Sequence, residues 1–397
     1  MSLRRHRLTP INKKLMTCEI LQQYWWAVVS LLGGLLAFLM FVQGAQTMIF
    51  HLGRTEEERR LLVNSAGRKW EFTFTTLVTF GGAFFAGFPL FYSTSFGGAY
   101  WAWMLLLVSF VLQAVAYEFQ SKSGNVLGRN AYRAFLVFNG VAGPFLVGVV
   151  VSSLFTGSAF VVDRGAVAAT GASVVISRWA NAWHGLDLLF SPANLCLGAA
   201  VALLARQLGA LYLLSNLRSE DIALRLRRQM RREAPMFILC FVGWTLGLLY
   251  SDGAAVDRAT GLVYLRPTHY WLNFLAHPSV LALFVSGVAL VLAGLASGAV
   301  SRKCRHGIWG AGAGTVMAVM ALFLVAGLGD SAYYPSTADL QSSLTLANSA
   351  SSPFTLRVMA FVSLLVPFVL AYIVWAWRAI DRGGLTTGQL DETEHKY

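Results

Sequence analysis

The chain has 397 residues, 56% of them hydrophobic and 13% charged, with a mean hydropathy of +0.58 and a formal net charge of +12. So little charge cannot cover a soluble globule of this size, which leaves an all-α polytopic membrane protein. The basic excess lies in short loops between apolar runs instead of on one face or stripe, so it reports topology and not nucleic-acid binding.

Residues 1–15 are polar, carry Arg4, Arg5, Arg7, Lys13 and Lys14, and have no apolar core of their own. We read them as an extension ahead of a single transmembrane domain over 16–397, with Met16 as a second start. Nine segments near the roughly 20 apolar residues that cross a bilayer follow. They cover 24–50, 72–92, 100–119, 134–155, 193–216, 236–250, 279–300, 307–328 and 354–377. The sixth is short. Lys and Arg crowd the loops after the first, third, fifth and seventh segments, so those loops and the tail 378–397 are expected in the cytoplasm and the N-terminus outside. The arginine-rich stretch 218–232 is read as a topology-setting loop, its amphipathic spacing leaving open a patch for anionic lipid or a cytoplasmic partner. The opposite loops, 156–192, 251–278 and 330–353, look ordered because SRWANAWHGLDLL is too aromatic for a solvated linker.

The stretch RTEEERRLLVNSAGRKWEFTFTTLVTFGGAFFAGFP joins a charged loop to an apolar segment that opens on Glu71. A carboxylate at that depth is costly in hydrocarbon and marks a functional site, unless it caps the first turn of its helix. Gln43, Gln46, Gln113, Glu118, Arg206 and Gln207 are the other polar residues within or bordering the segments. Arg206 is read either as a paired or snorkelling arginine or, with Gln207, as a contact for a quinone or a partner. The seven histidines (His6, His51, His184, His269, His277, His306, His395) fall in loops, tails or helix ends, so no haem is expected in this chain. Cys18, Cys196, Cys240 and Cys304 lie far apart without CxxC spacing, and neither a metal site nor a disulfide framework is indicated. No GxxxxGK[ST] motif is present, which argues against ATP-driven transport.

Two separated runs resemble subunit II of the cytochrome bd quinol oxidases. The first is Leu52-Gly53-Arg54 with Glu57-Glu58-Arg59-Arg60, Asn64-Ser65, Trp70-Glu71, Gly81 to Ala86 and Pro89. The second is Tyr334-Pro335-Ser336-Thr337 with Ser343 to Leu346, Asn348-Ser349, Ser351-Ser352 and Thr355 to Met359. Glu118-Phe119, Ser191-Pro192 and Gly209 to Tyr212 extend the likeness from about Met16 onward.

The resemblance implies a haem-free, multi-pass subunit of the bacterial inner membrane. It would stabilise a subunit I that carries haems b and d, oxidises quinol and reduces O2 to water, and it would contribute to the cytoplasmic proton path. A structural quinone in this chain is a further implication. The proton-path candidates are Glu71 and Glu118, with Thr73, Thr75, Thr76 and Gln113 as relays. The chain departs from the family where Gly44-Ala45-Gln46 replaces a Gly-Phe-Asp motif, and where Gln113 and Gln120 stand at positions commonly held by arginine. The competing reading, a secondary transporter or proton-coupled permease, calls for an internal repeat and broken helices around a midplane site, and the sequence displays neither.

Overall fold

The computed structural model describes residues 10–122, 124–163, 165, 176–301 and 306–380; most of the 1–15 extension, the tail beyond 380 and Cys304 lie outside them. Helix α1 (Pro10–Leu39) passes through Met40 into α2 (Phe41–Gln46) and the short α3 (Ile49–Leu52). Gly53 is extended, and Thr55 then starts α4 (Glu56–Gly67) through a reciprocal capping box with Glu58. Next come α5 (Trp70–Gly87), α6 (Pro89–Phe91) with a π-helical turn over Tyr92–Gly97, α7 (Tyr100–Phe119) and α8 (Arg129–Thr156), which contains Pro144. Ser191 caps α9 (Pro192–Asn216), and Ser219 caps α10 (Glu220–Tyr250). The remainder is α11 (His269–Ala276), α12 (Pro278–Val300), α13 (Gly307–Gly327), α14 (Leu346–Ser349), α15 (Pro353–Ser363) and α16 (Val366–Ile380).

Among the described residues eight helices are long and apolar enough to cross a membrane, nine when one bent pair counts as a single span. That pair corrects the second expected segment. The helix arriving through α5 stops at Gly87, and the chain bends by 118° before Pro89 starts the next piece. Hydropathy runs straight through FAGFP, but Phe88 leaves the helical region and Pro89 has no N–H with which to continue the ladder. The sixth segment needs the opposite correction. Residues 220–232 are not a loop; they are the first turns of α10, whose Ile222, Ala223, Leu226 and Met230 bury one face while Arg228, Arg231 and Arg232 stay exposed.

One end of the bundle is closed by three antiparallel hairpins: β1 (Phe160–Val162) with β2 (Ser177–Trp179), β3 (Gly253–Val256) with β4 (Val263–Arg266), and β5 (Ala332–Tyr334) with β6 (Leu344–Thr345). Bridges Ser158–Ser336 and Ala255–Ser331 join them. Beneath the hairpins Trp26 is fully buried, donates from Nε1 to the Phe323 carbonyl at 2.8 Å, and meets the rings of Phe84, Phe88, Phe323 and Tyr333.

The other end is charged. Arg133 makes a two-pronged bond to Glu56, and Arg225 does the same to Glu58 while also donating to the Leu52 carbonyl, so α4, α8 and α10 are tied together. Helix α9 packs on α2, α8 and α10. Glycine permits its contact with α2, since a Cβ on Gly44 would lie 1.8 Å from the Ala205 oxygen and one on Gly209 2.4 Å from the Ala45 nitrogen. Cys196 and Cys240, distant in sequence, meet across α9 and α10, the thiol of the first donating to the carbonyl of the second at 3.2 Å.

Candidate functional site

The residues singled out from sequence divide into three places, two of them on opposite faces of α7. At the charged end, Lys69 immediately precedes α5 and is fully buried; its Nζ donates to the Trp377 carbonyl at 3.3 Å and lies 4.6 Å from that residue's ring centre. Trp70 then stacks on Tyr117 of α7, centroids 6.0 Å apart and planes 17° off parallel. Glu71 and Glu118 each follow one of these two rings, so the structure places both carboxylates at the same end of neighbouring helices. Both are exposed on the surface of the chain. Among the described residues neither carboxylate forms a hydrogen bond or ion pair, so Glu71 is not spent on capping its own helix.

The exposed face that carries them is chemically mixed. Along α5 it shows Thr75, Val78, Thr79 and Phe85, and along α7 Tyr100, Trp101, Met104, Leu107 and Val111. Between the two helices lies a groove of 480 Å³ walled by residues such as Phe74, Phe85, Tyr92, Phe96 and Trp103. The face of α10 and α12 differs: Ile238, Leu239, Val242, Leu246, Val285, Leu290 and Leu292 give it an aliphatic surface. Of the expected relays, Thr73 and Thr76 give their hydroxyl protons to the Leu39 and Phe72 carbonyls at 2.9 and 2.7 Å, leaving only their lone pairs to a mobile proton.

Gln113 is not on that face. It is fully buried and accepts from Gln43 Nε2 at 3.3 Å across the interior side of α7. One turn nearer the charged end, Gln46 Nε2 donates to the Tyr117 hydroxyl at 3.0 Å, and one turn farther in, Asn139 Nδ2 donates to Ser109 at 3.2 Å. Tyr117, Ser109 and Asn139 were missed in the sequence, where a lone Ser or Asn inside an apolar run says nothing of its partner.

Arg206 and Gln207 form the third place. Arg206 grips Glu233 of α10 with Nε at 3.1 Å and Nη2 at 2.6 Å, and Glu233 also accepts from Gln229 at 3.1 Å. Gln207 is buried and donates to the Met230 carbonyl at 3.3 Å. Sequence reading passed over Glu233 because it sits inside an arginine-rich run.

At the hairpin end His269 is fully buried, its Nε2 2.8 Å from the Ser331 hydroxyl and 3.4 Å from Asn273. Loss of solvent, helped by the nearby Arg266 charge, lowers its pKa to about 4. Among the described residues no group of three or more His, Cys, Asp and Glu is placed to hold a metal ion.

The model of the family described as cytochrome bd terminal oxidase subunit II matches residues 21–380. The cytochrome bd-I ubiquinol oxidase subunit 2 of Escherichia coli strain K12 is 27% identical over 395 residues, covering 95% of this chain and 98% of the relative. The cytochrome bd ubiquinol oxidase subunit 2 of Bacillus subtilis is 25% identical over 367 residues, covering 90% and 95%. Among solved structures, a chain of the bd oxidase from Geobacillus thermodenitrificans shares the fold with a TM-score of 0.61 at 13% identity, covering 91% of this chain and 98% of that one.

Proposed function

The chain belongs to the cytochrome bd terminal oxidase subunit II family, and from that premise we propose that it docks the haem-bearing subunit I through the α5–α7 face and offers that subunit protons at Glu71. It is a multi-pass subunit of a quinol-oxidising, oxygen-reducing complex of the bacterial inner membrane, and the haems of such a complex lie in the partner. The observation that carries the docking is the contrast between the two exposed faces. Two carboxylates facing acyl chains would be costly, whereas the aliphatic α10–α12 face suits lipid. A partner that covers α5 and α7 would enclose Glu71 and Glu118 and convert surface acids into acids lining a boundary between subunits.

The charged end is taken as cytoplasmic from its Lys and Arg content. Glu71 ranks ahead of Glu118 because it follows Trp70 in the position where the family carries an acid. Protons consumed by oxygen reduction would then be collected by a carboxylate that is unpaired among the described residues.

A structural quinone fits one cavity best. A space of 560 Å³ between α1, α5, α13 and α16 has aromatic walls in Phe38, Trp309 and Trp377 and polar groups in Thr76 and Arg378. The 70 Å³ void inside the bundle has a wholly apolar lining, which gives ring carbonyls no donor. A ligand at Arg206 would have to displace Glu233.

The test is a photo-crosslinking residue placed at Val111, on the α7 face, or at Leu239, on α10, followed by purification from membranes. Crosslinking to a haem-bearing partner from position 111 and not from position 239 supports the docking; the reverse, or no copurifying haem subunit, overturns it.

A further inference from the structure

The hairpin end carries apolar side chains on its outside as well as its inside. Leu262, Tyr264 and Leu265, at and along β4, and Trp271 and Leu275 on α11 are between 42% and 58% exposed, and Tyr250, which closes α10, is 77% exposed. The hairpin already has its inner face in Val263, buried with Ala254 and Ala332. Helix α11 likewise buries His269, Tyr270, Asn273 and Phe274 and turns Trp271 and Leu275, one helical turn apart, outward. Apolar surface left together on the outside of a fold marks a contact with something else.

Two observations place this ledge beside lipid. The first is its side of the bundle: α11 packs on α10 and α12, and β3 packs on α11, where a Cβ on Gly253 would lie 2.8 Å from that of His269, so the ledge stands on the aliphatic α10–α12 side. The second is its height. From Arg232 to Tyr250 helix α10 rises about 27 Å at 1.5 Å per residue, close to the roughly 30 Å of a hydrocarbon core, and every exposed residue between them is apolar. With Arg228, Arg231 and Arg232 among the headgroups of one leaflet, Tyr250 reaches those of the other. The ledge leaves α10 there and returns into α12 at Pro278, so it is held at headgroup height from both ends.

We propose that β4 and α11 lie in the boundary layer of the phospholipid leaflet at the hairpin end, with Leu262, Leu265 and Leu275 reaching the acyl chains and Tyr250, Tyr264 and Trp271 the headgroups, and that this contact holds the hairpin end against the membrane. The inference rests on the reading that the α10–α12 face meets lipid. Tyr and Trp suit that layer because each joins an apolar ring to a polar edge, and Arg266, exposed at the end of β4, meets the phosphates. Because α10 and α12 already fix the ledge at that height, the contact orders nothing further.

The test places a photo-crosslinking residue singly at Leu265, Leu275, Ala338 or Leu239 in the assembled oxidase, purified into phosphatidylglycerol nanodiscs, and reads the adducts by intact mass. Phospholipid adducts are expected at 265 and 275, at least several-fold above position 338, which is exposed on the polar β5–β6 hairpin. A protein adduct, or the absence of lipid, at either position overturns the proposal. Leu239, midway along the exposed face of α10, separates the premise from the inference: lipid there without lipid at 265 and 275 removes the ledge alone, and no lipid there removes the reading of the α10–α12 face and the ledge with it.

Discussion

Removing the Arg206 side chain should destabilise the subunit, and removing Glu233 with it should restore most of the loss. The two groups form a fork of 2.6 and 3.1 Å with side chains only 21% and 19% exposed, between helices that cross the apolar layer. Opposite charges about 4 Å apart interact by about 4 kcal/mol at an effective dielectric near 20. Breaking a buried pair from one side costs about 3–5 kcal/mol, because the remaining charge keeps its desolvation without its partner. With a fifth of each side chain exposed, Arg206→Met should lie near the lower end, at about 3 kcal/mol, with Glu233 left only its bond to Gln229. Arg206→Met combined with Glu233→Met removes both charges and should recover to within about 1 kcal/mol of the unaltered chain. Size-exclusion thermostability of the purified complex reads the series. Additive losses in the double variant, or an Arg206→Met complex as stable as the parent, would refute a structural pair and return Arg206 to the list of ligand contacts.

Gly44→Ala would push a methyl 1.8 Å from the Ala205 oxygen, so α2 and α9 must separate, and the cost should exceed the about 1–3 kcal/mol usual for overpacking. Native gel analysis should show loss of the assembled subunit, whereas Gly243→Ala, which meets nothing within 4 Å, should assemble normally. His269 gives the hairpin end a pH dependence. Its folded pKa of about 4 lies below the unfolded value of about 6.5, so the unfolded chain takes up the proton first. Stability is then full above pH 6.5 and is lost as pH falls toward 4, by up to about 1.4 kcal/mol per unit. Hydrogen exchange of the β3–β4 and β5–β6 hairpins should show that slope in the parent, and His269→Gln should flatten it; an unchanged slope would mean another group is responsible.

The membrane-spanning layout was legible because burial in lipid demands long apolar runs, and a run such as 279–300 has no other explanation. Ends were less legible where hydropathy and helix diverge. Arg225 to Arg232 read as loop, yet the Ser219 cap and the spacing of Ile222, Leu226 and Met230 continue α10 through them. At Phe88 the reverse holds, since the apolar run continues while Pro89 ends the helix. The two carboxylates were visible one at a time, because an acid at a membrane boundary stands out. What could not be read was which face of α7 each neighbour occupies. Gln113 looked like a relay for Glu118, five residues away, but the helix turns it inward toward Gln43, 70 residues earlier. Arg206 and Glu233 were separated for the same reason, as pairing across helices depends on packing that local pattern does not encode.

The most direct test of a surface carboxylate feeding protons to the haem subunit is the oxygen consumption of an assembled Glu71→Gln complex, driven by quinol. Glutamine keeps the side chain's shape and removes its titratable proton, and among the described residues Glu71 makes no bond whose loss would disturb folding. Unchanged haem content with turnover well below the parent is the expected result, and a fully assembled Glu71→Gln oxidase that respires at the parent rate would contradict the account.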